Sequence, residues 1–280
     1  MGVLTWCFHM GKSCWNVIWA RCPPVFMTYS EKLAARIEST GSNLCVGIDP
    51  RPELTGGDLE TFVNSLVEET QEFAAAFKPN SAYFEAEGSK GYAVMQKLVA
   101  DIPEEIPVIL DVKRGDIGAT QSYYAKACFE SMQGVDAVTV NPYMGFDSVE
   151  PMLSYPGRAV YLLGVTSNPG AKDIELQALA DGRQVFELVT EMESRCSGHK
   201  GEIGFVVGLT NARPDILGDI PDAPLLLPGL GAQGGDLDLL KGAGRKAPVV
   251  INVSRGVMAG EGTAAERARA FRDRISAALS

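Results

Sequence analysis

Asp111, Lys113 and Asp116 fall within one short stretch, Leu110-Asp111-Val112-Lys113-Arg114-Gly115-Asp116-Ile117-Gly118, directly after the apolar run Pro107–Leu110. In an extended strand, residues two apart point to the same side, so Asp111 and Lys113 are expected on one face. Asp116 falls in the loop or first helical turn that follows. The stretch therefore gathers two carboxylates and an ammonium at the carboxyl end of a strand. Carboxylates crowded together repel unless a cation stands between them, and Lys113 supplies one. A surface salt-bridge cluster after a buried strand has the same composition, so the rest of the chain must decide what this one does.

The elements that would carry these residues are short apolar runs alternating with helix-length stretches from Ser42 onward. The runs are Asn43–Ile48, Phe73–Lys78, Pro107–Lys113, Ala137–Asn141, Ala159–Val165, Ile203–Gly208, Leu225–Pro228 and Val249–Val253. Nearly continuous apolar character is what parallel strands covered on both faces require. Helical patterns lie between them at Leu59–Thr70, Tyr92–Ala100, Ser122–Ser131, Gln184–Arg195 and Leu237–Leu240, and a capping box at Thr263–Glu266 opens a last helix toward Leu279. Eight such units over roughly 250 residues is the size of an α/β (β/α)8 TIM barrel in a single domain. A doubly wound open sheet is the alternative.

In a barrel the active site forms at the carboxyl ends of the strands. Read at that position, the runs lead into Asp49-Pro50, Lys78-Pro79-Asn80, the Asp111–Asp116 stretch, Asn141-Pro142, Thr166-Ser167-Asn168-Pro169-Gly170, Pro228 with Gly229–Gly235, and Ser254-Arg255-Gly256. Lys78 closes an apolar run, so an inward ammonium there needs a partner. Asp111 and Asp116 are available, which would give an alternating network of two ammoniums and two carboxylates. Gly229–Gly235 lets backbone N–H groups approach an anion, and Arg255 adds a cation with fork geometry. Barrels commonly bind phosphate with the loops after strands seven and eight.

Composition narrows the class. The chain has 280 residues, 46% hydrophobic and 21% charged, with a net charge of −10, which suits a globular protein with a large core. The negative balance argues against a general nucleic-acid binder, and no run reaches the roughly 18 apolar residues of a membrane span. Cys45 and Cys128 sit in or beside apolar patterns and no C-x-x-C pair occurs, as in a cytoplasmic protein with reduced thiols. With two His, neither well placed, a His-ligated metal site is not expected; His199 lies in a polar loop and reads as solvated.

Residues 1–26 hold all three Trp, together with Cys7, Cys14, Cys22 and His9, and end at Cys22-Pro23-Pro24 without a clear period. They match neither a signal peptide nor a common zinc pattern. Thr28-Tyr29-Ser30-Glu31 then has capping-box spacing ahead of Leu33, Ala34 and Ile37. The expectation is an extension over 1–26, outside the fold and read as a mis-set translation start, followed by a catalytic barrel over 27–280.

Asp111–Gly118 resembles the D-x-K-x-x-D-I signature of orotidine 5′-phosphate decarboxylases. Phe77-Lys78-Pro79-Asn80, Tyr83-Phe84-Glu85, Asn141-Pro142-Tyr143, Thr166–Pro169 and Pro228–Gly235 are similar to the bacterial type 2 subgroup. The resemblance implies decarboxylation of orotidine 5′-monophosphate to UMP without metal or organic cofactor, in a cytoplasmic homodimer with a shared site. It implies that Lys113 protonates C6, that Asp111 lies by the departing carboxylate, and that Lys78 holds Asp111 and the ribose. Asp116 would come from the neighbouring subunit, and Asp49 would accept a ribose hydroxyl. Ser167 and neighbouring Thr166 or Asn168 would read the pyrimidine edge, while Gln233 and Arg255 would grip the phosphate, with Gly231, Ala232 and Gly234 also among the substrate-binding residues. Two rivals keep the same frame: a Mg²⁺-assisted sugar-phosphate decarboxylase or aldolase, and a non-catalytic sensor of a phosphate ligand.

Overall fold

The computed structural model describes residues 27–208, 216–228 and 244–279. The expected extension over 1–26, the Gly229–Gly235 loop and the Leu237–Leu240 helical pattern lie outside the described residues. Eight parallel strands run in chain order: β1 (Leu44–Ile48), β2 (Ala76–Pro79), β3 (Ile109–Arg114), β4 (Ala137–Val140), β5 (Ala159–Val165), β6 (Glu202–Val207), β7 (Leu225–Pro228) and β8 (Val249–Val253). They form one sheet in the order β2-β1-β8-β7-β6-β5-β4-β3. Its two edges meet through the parallel bridges Phe77↔Val108 and Asn80↔Asp111. The sheet is a barrel, not the open alternative.

The helices are α1 (Tyr29–Thr40), α2 (Pro52–Thr55), α3 (Leu59–Thr70), α4 (Ser81–Glu85), α5 (Gly88–Asp101), α6 (Gly118–Lys126), α7 (Val185–Thr190), α8 (Arg255–Met258) and α9 (Ala264–Leu279). Both capping boxes form: Glu31 N–H donates to Thr28 Oγ1 while Thr28 N–H donates to Glu31, and Thr263 and Glu266 repeat the exchange. Three helical expectations change in detail, the first being the pattern expected over Tyr92–Ala100, which begins earlier, at Gly88. The segment expected over Ser122–Ser131 begins earlier, at Gly118, and widens into a π turn at Ala127–Ser131. The segment expected over Gln184–Arg195 tightens to a 3-10 turn after Thr190. β2 starts later than expected because Phe73 and Ala74 N–H groups still bond the Thr70 carbonyl of the preceding helix.

Alternation along the strands sorts side chains into two cores. Leu44, Val46 and Ile48 face outward to the helices, whereas Cys45, Ala76, Ile109, Ala137, Tyr161 and Val250 face inward with Tyr29 and Leu33 of α1. The barrel is thus plugged at its amino end by α1, where the Tyr29 and Tyr161 hydroxyls are 3.0 Å apart. Complete burial pushes the Cys45 thiol up to about 12. One inward step further along β1 to β4, the lining changes from apolar to Gly47, Lys78, Asp111 and Thr139. The apolar plug is the floor on which the polar site stands. No helix among the described residues is long and apolar enough to cross a membrane.

Candidate active site

β3 is not a regular strand where its charges lie. Leu110 pairs with Val138 and Arg114 with Val140, so Asp111, Val112 and Lys113 together oppose Thr139 alone. The surplus is taken up by a bulge in which Lys113 adopts a left-handed φ of 45°, which among the described residues no other non-glycine shares. Asp111 and Lys113 therefore meet through a local kink and not through plain alternation. Lys113 Nζ donates to Asp111 Oδ1 at 2.5 Å, Lys78 Nζ donates to Asp111 Oδ2 at 2.7 Å, and Thr139 Oγ1 donates to Asp111 Oδ1 at 2.9 Å. Beyond the bulge, Arg114 is tied to Glu85 at 2.5 Å and lies over the Tyr124 ring, which anchors the strand end to α4 and α6.

Lys78 and Asp111 are 5% and 7% exposed, whereas half the Lys113 side chain is open to solvent. Burial alone would raise the Asp111 pKa, but the Lys78 and Lys113 ammoniums outweigh it and hold the carboxyl well below the usual range. Burial would likewise lower Lys78, yet Asp111 and Asp49 together hold it above its ordinary value. Lys78 and Asp111 therefore face each other as an ammonium and a carboxylate at neutral pH.

Asp116 does not join this array within its own chain. Its carboxylate accepts the Ile117 N–H at 2.8 Å, and its backbone N–H donates to the buried Gln121. Of the expected four-charge network, the chain itself assembles three members.

The rest of the barrel mouth is a cavity of about 660 Å³ lined by Asp49, Arg51, Ser167, Asn252, Ser254 and Arg255, among others. Asp49 Oδ1 and Asn252 Oδ1 are buried there without a hydrogen-bond partner among the described residues, an arrangement that costs free energy until a donor arrives. Arg255 opens α8 directly after β8. Gly47 is required beneath it, because a Cβ would stand 2.0 Å from Ser254 Oγ and 2.9 Å from Asn252 Oδ1. After β5, Glu175 accepts from the Thr166 N–H at 2.7 Å and the Thr166 hydroxyl at 2.8 Å, fixing the start of the Thr166–Asn168 loop.

The structure thus brings Asp49, Lys78, Asp111, Lys113, Ser167 and Arg255 to the expected end of the barrel. Gly231, Ala232, Gln233 and Gly234 lie outside the described residues. Thr139, Glu175 and Asn252 are site residues that the sequence did not announce: a threonine within a β run, a loop glutamate and a strand asparagine carry no distinguishing pattern. His199 corrects an expectation, since its ring packs edge-on against Phe146 and is only partly exposed. Among the described residues no three His, Cys, Asp or Glu side chains cluster as metal ligands would.

Comparison with known proteins agrees with this geometry. The family model described as "Orotidine 5'-phosphate decarboxylase / HUMPS family" matches residues 42–271. An orotidine 5′-phosphate decarboxylase of Roseiflexus castenholzii is 40% identical over 271 residues, covering 90% of this chain and 99% of the relative. The solved structure of Leishmania donovani OMP decarboxylase superposes with a TM-score of 0.79 at 35% identity, over 90% of this chain and 99% of that one. Leishmania donovani UMP synthase gives 0.81 at 36% identity over 90% of this chain, which spans 57% of the synthase. With its barrel, its charged strand ends and these relatives in agreement, the chain belongs to the orotidine 5′-phosphate decarboxylase family.

Proposed function

We propose that Lys113 delivers the proton to C6 as orotidine 5′-monophosphate loses its carboxylate, giving UMP and CO₂. Decarboxylation of this nucleotide in pyrimidine biosynthesis is the family's carboxy-lyase reaction. Cleavage of the C6–carboxylate bond leaves its electron pair in the plane of the ring, where no π-system can accept it. The pair takes a proton from the Lys113 ammonium, and the neutral amine recovers one from solvent. Fixed charges must supply much of the barrier reduction, and they do so best when they need no reorganisation. The observation that carries this reading is the Lys78–Asp111–Lys113 array, held by contacts within the protein itself.

In this reading the ionised Asp111 faces the departing carboxylate, and like-charge repulsion favours its loss. Lys78 holds Asp111 and reaches the ribose, while the unpartnered Asp49 Oδ1 accepts a ribose hydroxyl. Thr166, Ser167 and Asn168 read the pyrimidine edge. Arg255 grips the phosphate with Gln233 and the backbone of Gly231, Ala232 and Gly234. Phosphate binding far from C6 then serves to position the reacting carbon. Neither metal nor organic cofactor takes part.

Asp116 completes the array from a second copy of the chain in a homodimer. Its carboxylate stands outside the array of its own chain, and Ile117 before α6, Tyr123 on α6, and Tyr143 and Met144 in the loop after β4 are all exposed. Large apolar groups gathered at one place mark an interface, and a two-fold axis there would exchange Asp116 between sites.

The test follows the ultraviolet absorbance of orotidine 5′-monophosphate with purified protein, with and without EDTA. EDTA-resistant conversion to UMP that falls by at least about 100-fold in Lys113→Ala supports the reading. Conversion unaffected by the substitution refutes the assignment of Lys113, and conversion abolished by EDTA refutes the metal-free route.

A further inference from the structure

We infer that Thr139 is a positioning residue for the reaction, holding Lys113 in its left-handed turn and aiming its ammonium at the Asp111 centre. The inference rests on the assignment of Lys113 as proton donor. Opposite the bulge, β4 offers one residue where β3 has three, so the Lys113 N–H has no ladder carbonyl to use. Thr139 Oγ1 accepts that N–H at 2.9 Å. The one hydrogen of the same hydroxyl goes to Asp111 Oδ1, the oxygen that also receives Lys113 Nζ. Both ends of Lys113 are therefore tied to one point, its backbone through the hydroxyl and its ammonium through the carboxylate.

Thr139 is 1% exposed, and a buried hydroxyl is tolerated because both bonds are made. Valine would fill the same volume and suit a strand equally well. The hydroxyl is therefore not demanded by packing. A non-glycine residue at positive φ persists only where its surroundings enforce it, and here the hydroxyl is the group that engages the backbone of the strained residue. Without it, Lys113 can relax toward the extended region, carrying Cβ and the ammonium away from Asp111. Thr139 does not line the Asp49–Arg255 cavity, so its loss should act on the proton-transfer step and not on nucleotide affinity.

The full chain carrying Thr139→Val should lose about 10- to 100-fold in kcat for orotidine 5′-monophosphate, the scale of a misplacement near 1 Å. Its KM, and the dissociation constant of UMP, should stay within about twofold of the parent, because binding made equally in ground and transition states is untouched. Thr139→Ser, which keeps the hydroxyl, should restore kcat to within about threefold. If Thr139→Val does not fold, Thr139→Ala against Thr139→Ser makes the same comparison, since both have lost the methyl and only one the hydroxyl. Parent-like kcat without the hydroxyl, an effect confined to KM, or a serine variant as slow as its hydroxyl-free counterpart would each overturn the inference. Lys113→Ala run alongside separates the two readings: activity without Lys113 refutes the proton donor itself, whereas inactivity there with full activity in Thr139→Val refutes only the role of Thr139.

Discussion

Replacing Lys78 with methionine tests the array at its buried end. The substitution keeps most of the stem and removes the ammonium that sits 2.7 Å from Asp111 Oδ2. Both side chains are buried, and removing one partner of a buried pair costs about 3–5 kcal/mol because the other charge is left uncompensated. Asp111 keeps Lys113 and Thr139 on its second oxygen, which places the loss near the low end, about 3 kcal/mol. For a domain of this size each kcal/mol moves Tm by about 2–4 °C, so Tm should fall by about 6–12 °C at pH 7. The double variant Lys78→Met/Asp111→Asn removes both charges and should recover all but about 1–2 kcal/mol, as neutralised pairs usually do. Lys113 then loses its partner too, but its ammonium is half exposed and water takes over.

The pH dependence fixes the cause. The folded-state pKa of Asp111 lies below its unfolded value, so its stabilisation is complete above the unfolded pKa, near 3.9. It is lost as pH falls through the folded value. In Lys78→Met the depression is smaller, and protonated Asp111 no longer needs a cation. The unfolded-state titration is common to both proteins, so the stability gap between parent and variant should be widest at neutral pH and shrink as pH falls through the variant's own folded pKa for Asp111. Urea unfolding in steps from pH 7 down to about pH 2.5, below the unfolded pKa near 3.9, measures it. A gap under about 1 kcal/mol at pH 7, a gap constant with pH, or a double variant as unstable as the single would refute the electrostatic account and leave only a packing defect.

The other predictions are shorter. Mixing Asp116→Ala with Lys113→Ala chains, after verified subunit exchange, should restore about a quarter of parental activity, since half the random dimers carry one intact site of two; no recovery counts against a shared site. Gly47→Ala should drive Asn252 of β8 and Ser254 just after it away from β1 and cost about 1–3 kcal/mol by overpacking. Because Ser254 precedes Arg255, KM for the nucleotide should rise with it, and an unchanged KM would separate the glycine from the phosphate grip. The Cys45 thiol, buried and pushed up to about 12, should stay unlabelled by iodoacetamide at pH 8 until the chain unfolds; peptide mass spectrometry of the native protein reads this directly.

How much of this was legible in the sequence depended on which rule governed each residue. Lys78 could be read because an ammonium closing an apolar run must find a partner, and the barrel confined the candidates to neighbouring strand ends. Asp49 and Arg255 could be read because β-strand carboxyl ends in a barrel share one mouth. Glu175 could not, since a loop residue nine positions from Thr166 obeys no period. His199 misled for a related reason: a polar stretch gave no sign of the Phe146 ring that covers it. Asp116 is a different case, because nothing in one chain's sequence tells whether a loop carboxylate serves its own site or that of a second copy.

The central contact is the instructive one. Period-two alternation correctly put Asp111 and Lys113 together, yet the strand does not follow that period where they lie. In a regular strand their Cα atoms would stand about 6.8 Å apart, and a lysine could meet the carboxylate only by folding its own flexible stem back, at a cost in rotamer entropy. The bulge moves that cost into the backbone: Lys113 takes a φ of 45°, and β4 answers three residues with the single hydroxyl of Thr139. No sequence signal marks the exchange, since threonine is an ordinary strand residue and Val112 continues the apolar run. The consequence is mechanical. In the proposed role of Lys113 as proton donor, an ammonium aimed by a fixed backbone does not have to be ordered during each turnover, and the strain sits at the residue where disorder would be most costly.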